Sequence, residues 1–268
     1  MKEHGIYLCA EVGVSWETRP RLMKLIKDCL VAGAHAIKVQ LYNEETIADY
    51  PEELKERLRP MILEIPQLCE ISTFIHANGG ELVITPMFKG AMDMALKTKP
   101  FPVDGFKIRA KDFNNTALFK EIMGKAGDKP IYVSVPHDKG TEIPPTSEEV
   151  WQLMWGTGVH TVYCRPEYPP KLEELNLWKS LTYDGISLHR PEWEVHALAC
   201  AMHLGYLERR PREHKRRFYV EVHVMPTEQI AYLEGKEHMA PLDREVSLTP
   251  ADLAKLKHAI DLMEATVG

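Results

Sequence analysis

The sequence predicts a (β/α)8 barrel, the TIM-barrel fold, and three observations carry that expectation. Short apolar, β-branched runs alternate with helix-period segments eight times along the chain. The length, 268 residues, suits the roughly 250 such a barrel needs. Polar or charged residues recur at the C-terminal end of nearly every strand-like run, and in a barrel those ends share one mouth. A doubly wound open sheet is the alternative. It is disfavoured because no glycine-rich turn follows the first strand and the strand count closes at eight.

The elements follow in order. Residues 6–12 form an apolar run ending near Glu11, a buried first strand. Residues 19–32 carry Leu22, Leu25, Ile26 and Leu30 at helical spacing, with Gly33 as the stop. The second strand, 36–40, places Lys38 and Gln40 on one face. Residues 51–77 read as a helix in two pieces, punctuated by Pro60 and Pro66. Strand 81–86, helix 89–98 and strand 103–108 come next. Asn114 or Asn115 caps a helix running to about Gly124. Strand 130–135 ends at Ser134 and leads through a long loop, 137–146, into helix 147–155. Strand 160–164, helix 172–181, strand 184–189 and helix 192–205 complete the seventh unit. Strand 218–224 is the eighth, and helix 250–267, capped by Thr249, closes the chain.

Composition bounds the function. With 44% hydrophobic and 27% charged residues the chain is an ordinary globular protein, and its net charge of −6 gives no basic field for nucleic acid. No apolar run is long enough to cross a bilayer, and no signal-peptide core precedes the first strand. Five cysteines, odd in number and mostly in apolar segments, suit reduced thiols and a cytoplasmic location. Trp151 and Trp155 at helical spacing suit packing or a subunit contact, and a homodimer is one assembly the chain allows. The basic stretch 208–217 reads as a solvated loop at the far end of the barrel.

The mouth residues carry the chemistry. Alternation puts Glu221 and His223 on one face of the eighth strand, and Ser187 and His189 on one face of the seventh. Two histidines converging with nearby oxygen ligands suit a divalent metal. The rim further collects Glu11, Lys38, Gln40, Thr85, Lys107, Arg109, Ser134 and Tyr168. Lysines and hydroxyls converging on one mouth suit a phosphate or carboxylate. A Schiff-base lysine is the rival chemistry for Lys38 and Lys107, each set between apolar neighbours.

Ala10-Glu11-Val12-Gly13, Lys38-Val39-Gln40, Ile84-Thr85-Pro86-Met87 and Phe106-Lys107-Ile108 fall in order along the first four strands. Ser134, Cys164 with Tyr168-Pro169, Ile186-Ser187-Leu188-His189, Glu221-Val222-His223 and Leu242-Asp243 through Ser247-Leu248 continue the series. In this order and placement the chain resembles the sialic acid (N-acetylneuraminate) synthase family over nearly its whole length. The resemblance implies a metal-dependent condensation of phosphoenolpyruvate with an aldehyde sugar, releasing phosphate. It implies that His189 and His223 hold a divalent ion, manganese or magnesium. It places Lys38, Thr85, Lys107, Ser134 and Ser187 on phosphoenolpyruvate, and Glu11, Tyr168 and Asp243 at the acceptor. Glu221 would position or activate water.

The chain departs from that family's pattern chiefly on the acceptor side. Ser15-Trp16-Glu17-Thr18 replaces Asn-His-Asn-Gly, Arg109-Ala110 replaces Gly-Ser, and Leu188 and Val222 replace an Asp and a Lys. The expected organisation is one barrel domain over 1–268, without the family's small C-terminal antifreeze-like domain. Arg109, Lys111 and Arg165 lead to the expectation of an acceptor carrying negative charge. The alternatives are another metal-dependent aldolase or lyase, and a barrel that binds a ligand without catalysis.

Overall fold

Val, Ile, Tyr and Phe make strands here because both faces of each strand are covered, one by helices and one by the barrel interior. The computed structural model describes residues 5–137, 148–156, 158–208, 217–227 and 242–267. Its parallel strands are β1 (Ile6–Glu11), β2 (Ala36–Leu41), β3 (Glu81–Pro86), β4 (Gly105–Ile108), β5 (Ile131–Pro136), β6 (Val159–Cys164), β7 (Gly185–Ser187) and β8 (Phe218–Val224). Each pairs with the next, and β8 returns to β1 in register from Ile6↔Phe218 to Glu11↔His223. That last pairing closes the sheet into the predicted (β/α)8 barrel. A further short strand, β9 (Ser247–Leu248), was not expected. It pairs with His223 and Val224 at the mouth end of β8.

The helices are α1 (Arg19–Val31), α2 (Glu52–Leu58), α3 (Ile65–Ala77), α4 (Ala91–Leu96), α5 (Thr116–Lys125), α6 (Glu148–Met154), α7 (Leu177–Ser180), α8 (Trp193–Glu208) and α9 (Pro250–Val267). Helix α1 buries Leu22, Leu25, Ile26 and Cys29, and Gly33 at φ 96 ends it in the left-handed region that favours glycine. Asn115 caps α5 by accepting from the Leu118 N–H at 3.1 Å, and the Thr249 hydroxyl accepts from Asp252 N–H at 3.1 Å at the start of α9.

Two segments differ from expectation. The helix expected over 172–181 is a 3-10 turn, Leu172–Glu174, followed by the single-turn α7. Leu175 takes an extended conformation between them, which interrupts the helical hydrogen bonds, and Asn176 restarts the helix by capping the Lys179 N–H at 2.9 Å. The seventh strand stops at Ser187 instead of running to residue 189, because His189 turns to φ 52. Most of the 137–146 loop and of the basic stretch 208–217 lies outside the described residues. Trp151 packs partly against the core, whereas Trp155 is 85% exposed.

Candidate active site

Period-two alternation sends one set of side chains from each strand into the barrel. The lower set is Tyr7, Cys9, Ala36, Val83, Tyr132, Val162 and Tyr219, a cluster separate from the core beneath the helices. Tyr132 and Tyr219 stack with ring centres 4.0 Å apart. Gly185 makes room for Tyr219, since a Cβ there would collide with the Tyr219 carbonyl. Two residues further along the same strands, the interior becomes polar and charged.

That upper set is a connected ionic network. Lys38 Nζ lies 2.6 Å from Glu11 Oε2 and 2.9 Å from Glu221 Oε1. Lys107 Nζ lies 3.6 Å from Glu221 Oε2 and donates to Ser134 Oγ at 2.5 Å. Glu221 also accepts from the Ser187 hydroxyl at 3.0 Å and the Tyr219 hydroxyl at 2.7 Å. All of these side chains are buried. Burial pushes the Glu221 carboxyl upward, but Lys107, Lys38, the Tyr219 hydroxyl and His223 outweigh it and hold the group well below the usual range. Burial pushes Lys38 below the ordinary lysine value, and Glu221 opposes that shift. Glu11 Oε1 and Thr85 Oγ1 are buried without a hydrogen-bond partner among the described residues, which leaves polar capacity for a ligand.

The histidines stand beside this network. His189 Nδ1 faces the Arg165 carbonyl at 2.8 Å, and His223 Nδ1 lies 3.4 Å from Asp243 Oδ2. Both Nε2 atoms therefore turn to the Tyr168 hydroxyl, at 2.9 Å and 3.5 Å. Burial, and then the neighbouring His223, lower His189 to about 3, so its imidazole is neutral at ordinary pH. Tyr168 is 51% exposed as a residue, but its hydroxyl is turned inward onto the histidines, where dehydration and then Asp243 push it above the ordinary value and keep it protonated. His189, Glu221 and His223 offer ligand atoms within 4.8 Å of one another. Metal-binding histidines usually have the second ring nitrogen engaged by a carbonyl or carboxylate; His189 has the Arg165 carbonyl, and the Asp243 carboxylate stands 3.4 Å from His223 Nδ1. The residues present therefore fit a divalent ion.

A cavity of about 710 Å³ opens over these groups. Its floor holds Lys38, Lys107, Ser134, Tyr168, His189, Glu221, His223 and Asp243. Its other wall comes from the connection after β2 and from α2, with Met87 and Leu242, and is largely apolar.

The fold is that of several solved structures. N-acetylneuraminic acid (sialic acid) synthetase from Leptospira borgpetersenii superposes at a TM-score of 0.75, with 19% identity over 99% of this chain and 86% of that one. A putative spore coat polysaccharide biosynthesis protein E from Chromobacterium violaceum gives 0.72 and 20%, covering 97% and 76%. A truncated 3-deoxy-D-arabino-heptulosonate 7-phosphate synthase from Thermotoga maritima gives 0.62 and 14%, covering 98% and 88%. No family model matches the chain. In sequence, an uncharacterised protein of Methanocaldococcus jannaschii is 26% identical over 157 residues, 58% of this chain. The match spans 44% of that curated relative's length.

Most of the residues singled out from the sequence meet at this one mouth. Glu11 is engaged with Lys38 beneath the cavity, while Gln40 lines the cavity itself. Arg109 lines the cavity too, but its Nε donates to Asp112 Oδ2 at 2.5 Å. Arg165 is forked onto Glu167 at 3.1 Å and 2.7 Å, with Glu174 at 3.6 Å. Those two cations are thus already neutralised. Sequence reasoning missed Tyr219, concealed in a strand of apolar neighbours, and the apolar wall. A signal for the wall existed: Tyr42, Ile47, Tyr50, Leu54 and Leu58 crowd into one strand-to-helix connection and its helix.

Proposed function

We propose that the chain is an enzyme that joins phosphoenolpyruvate to an aldehyde by forming a carbon–carbon bond and releasing phosphate. The observation that carries this is the meeting, at one mouth, of two buried lysines with a His189–Glu221–His223 ligand group. The resemblance in motif order and the superposition on two named synthases support it.

A divalent ion held by His189, His223 and Glu221 would act as a Lewis acid that polarises the aldehyde carbonyl. Two nitrogen donors and a carboxylate suit manganese, iron or zinc better than magnesium, which favours oxygen ligands. Lys38 and Lys107, with Ser134, Ser187 and Thr85, would take the carboxylate and phosphate of phosphoenolpyruvate. Glu11 and Glu221 hold the two ammonium groups in place. Tyr168 keeps a proton at the point where the two Nε2 atoms meet and can donate a hydrogen bond to the aldehyde oxygen. The enol C3 attacks the aldehyde carbon, and the aldehyde oxygen takes up a proton. Water adds to C2 and loses a proton. The bond from C2 to the phosphate oxygen then breaks, phosphate leaves with that electron pair and takes up the proton of the new C2 hydroxyl, and a 2-keto acid remains. Glu221, held ionised, is suited to orienting that water.

The test is phosphate release from phosphoenolpyruvate with manganese across a panel of aldehydes, with calorimetry for phosphoenolpyruvate binding. Absence of both release and binding would sink the reading. The lowered Lys38 favours one rival, an amine that forms a Schiff base. Its contacts with Glu11 and Glu221 oppose that rival. Borohydride treatment with substrate present is expected to trap no lysine adduct.

A further inference from the structure

We infer that the acceptor is an aldehyde with an apolar body, alkyl or aryl, rather than a polyhydroxylated sugar. This rests on the proposed condensation and names its second substrate class. The cavity has two chemically distinct ends. At the floor, the charged groups belong to the ionic network or the histidine pair, where the carbonyl and phosphoenolpyruvate would sit, with the Gln40 amide beside them. Among the described residues, the remaining volume is walled mainly by Ile47, Tyr50, Leu54, Leu58, Met87 and Leu242, with Arg109 and Lys111 at its rim. The phenol of Tyr42, which also lines it, has its proton committed to the Leu58 carbonyl at 3.1 Å. Among the described residues, a sugar lodged against this wall would bury most of its hydroxyls on aliphatic carbon, which is unfavourable, whereas an alkyl or aryl group gains from leaving water.

The cations also argue for this class. Arg109 and Arg165 are engaged by carboxylates. Lys111, at the rim, points its ammonium toward the Tyr50 ring, 6.0 Å from the centroid. A terminal anion on the acceptor is therefore tolerated at the rim but not required. The wall comes largely from one segment, the connection after β2 with α2, so its chemistry can be altered without touching the strands that hold the floor.

The experiment uses the full chain with manganese and phosphoenolpyruvate. The kcat/KM for phosphate release is expected to rise about fourfold per methylene from propanal to hexanal, the worth of one buried CH2. In Leu54→Gln the rise should flatten to below about twofold per methylene, because the wall then carries an amide. Met87→Gln serves where Leu54→Gln does not fold, both being only partly buried. If erythrose or N-acetylmannosamine is used better than hexanal, the inference is overturned and the condensation stands. If no aldehyde is turned over and phosphoenolpyruvate does not bind, the condensation fails, and saturation-transfer NMR with 1-hexanol then decides the lobe. Hexanol contacts seen with the natural chain and lost in the variant keep an apolar-ligand site. Contacts that are absent, or equal in both proteins, overturn it.

Discussion

The barrel interior has two floors built by the same strands, and they solve opposite problems. Tyr7 and Cys9 lie below Glu11 on β1, Tyr132 lies below Ser134 on β5, and Tyr219 lies below Glu221 on β8. The lower floor is aromatic and apolar, and two of its phenols reach beyond it, Tyr7 to Glu81 at 2.5 Å and Tyr219 up to Glu221 at 2.7 Å. It stabilises by removing area from water and by ring stacking. The upper floor is charged, and its ion pairs at best offset the cost of dehydrating them. The difference teaches that the upper floor is kept for what it binds, and that the lower one carries the stability that permits it.

The largest way to break this contrast is to strand a charge. Lys38→Met leaves Glu11 facing a buried site with no cation and is expected to cost about 3–5 kcal/mol in urea unfolding. Adding Glu11→Gln should recover much of that loss. A single-variant loss near zero would mean that water reaches the upper floor freely. Next comes metal binding, read by equilibrium dialysis with manganese. His223→Ala should abolish retention, and Asp243→Asn, which alters only the group on Nδ1, should weaken it about 10–100-fold. Tyr132→Leu on the lower floor should lower stability and leave metal affinity unchanged.

Tyr219→Phe tests the joint between the floors. Loss of a hydrogen bond to the Glu221 carboxylate should cost about 2 kcal/mol and also weaken manganese binding. A loss of stability alone would detach Tyr219 from the site. The smallest effect is on acid stability. His35, near the lower floor, accepts from the Leu8 N–H at 3.0 Å, and burial followed by Lys257 and Arg217 lowers it to about 4. His189 above is lowered to about 3. Both folded values lie below the ordinary histidine value near 6.5, so the unfolded chain binds more protons between them. Stability should be complete above about pH 6.5 and fall as pH drops toward 4. Manganese should suppress the share due to His189, and His35→Asn the share due to His35.

The strands were legible because alternation is local. Lys38 between Ile37 and Val39, and Lys107 between Phe106 and Ile108, announce inward cations on buried strands. What those cations meet was not legible, because Glu11 and Lys38 are brought together by the β1–β2 register and Glu221 by closure of the barrel. Both kinds of pairing are long-range. His189 was placed at the mouth by an alternation that ends two residues earlier, and its ring reaches Ser187 Oγ at 3.3 Å by a turn of the backbone. The apolar wall escaped notice because a connection has no period from which to read a face. Leu172 to Leu181 misled for the opposite reason: the spacing is helical, but Leu175 and Asn176 interrupt it.

The turn at His189 has a consequence for how such a chain could change over time. A φ of 52 is a conformation that glycine adopts with less cost than a residue carrying a Cβ, a difference of about 1 kcal/mol. Conformational preference and chemistry therefore pull in opposite directions at this one position. A descendant released from its reaction would gain stability by drifting there to glycine. The residue at position 189 would thus record, in any close relative, whether the barrel is still under selection for chemistry.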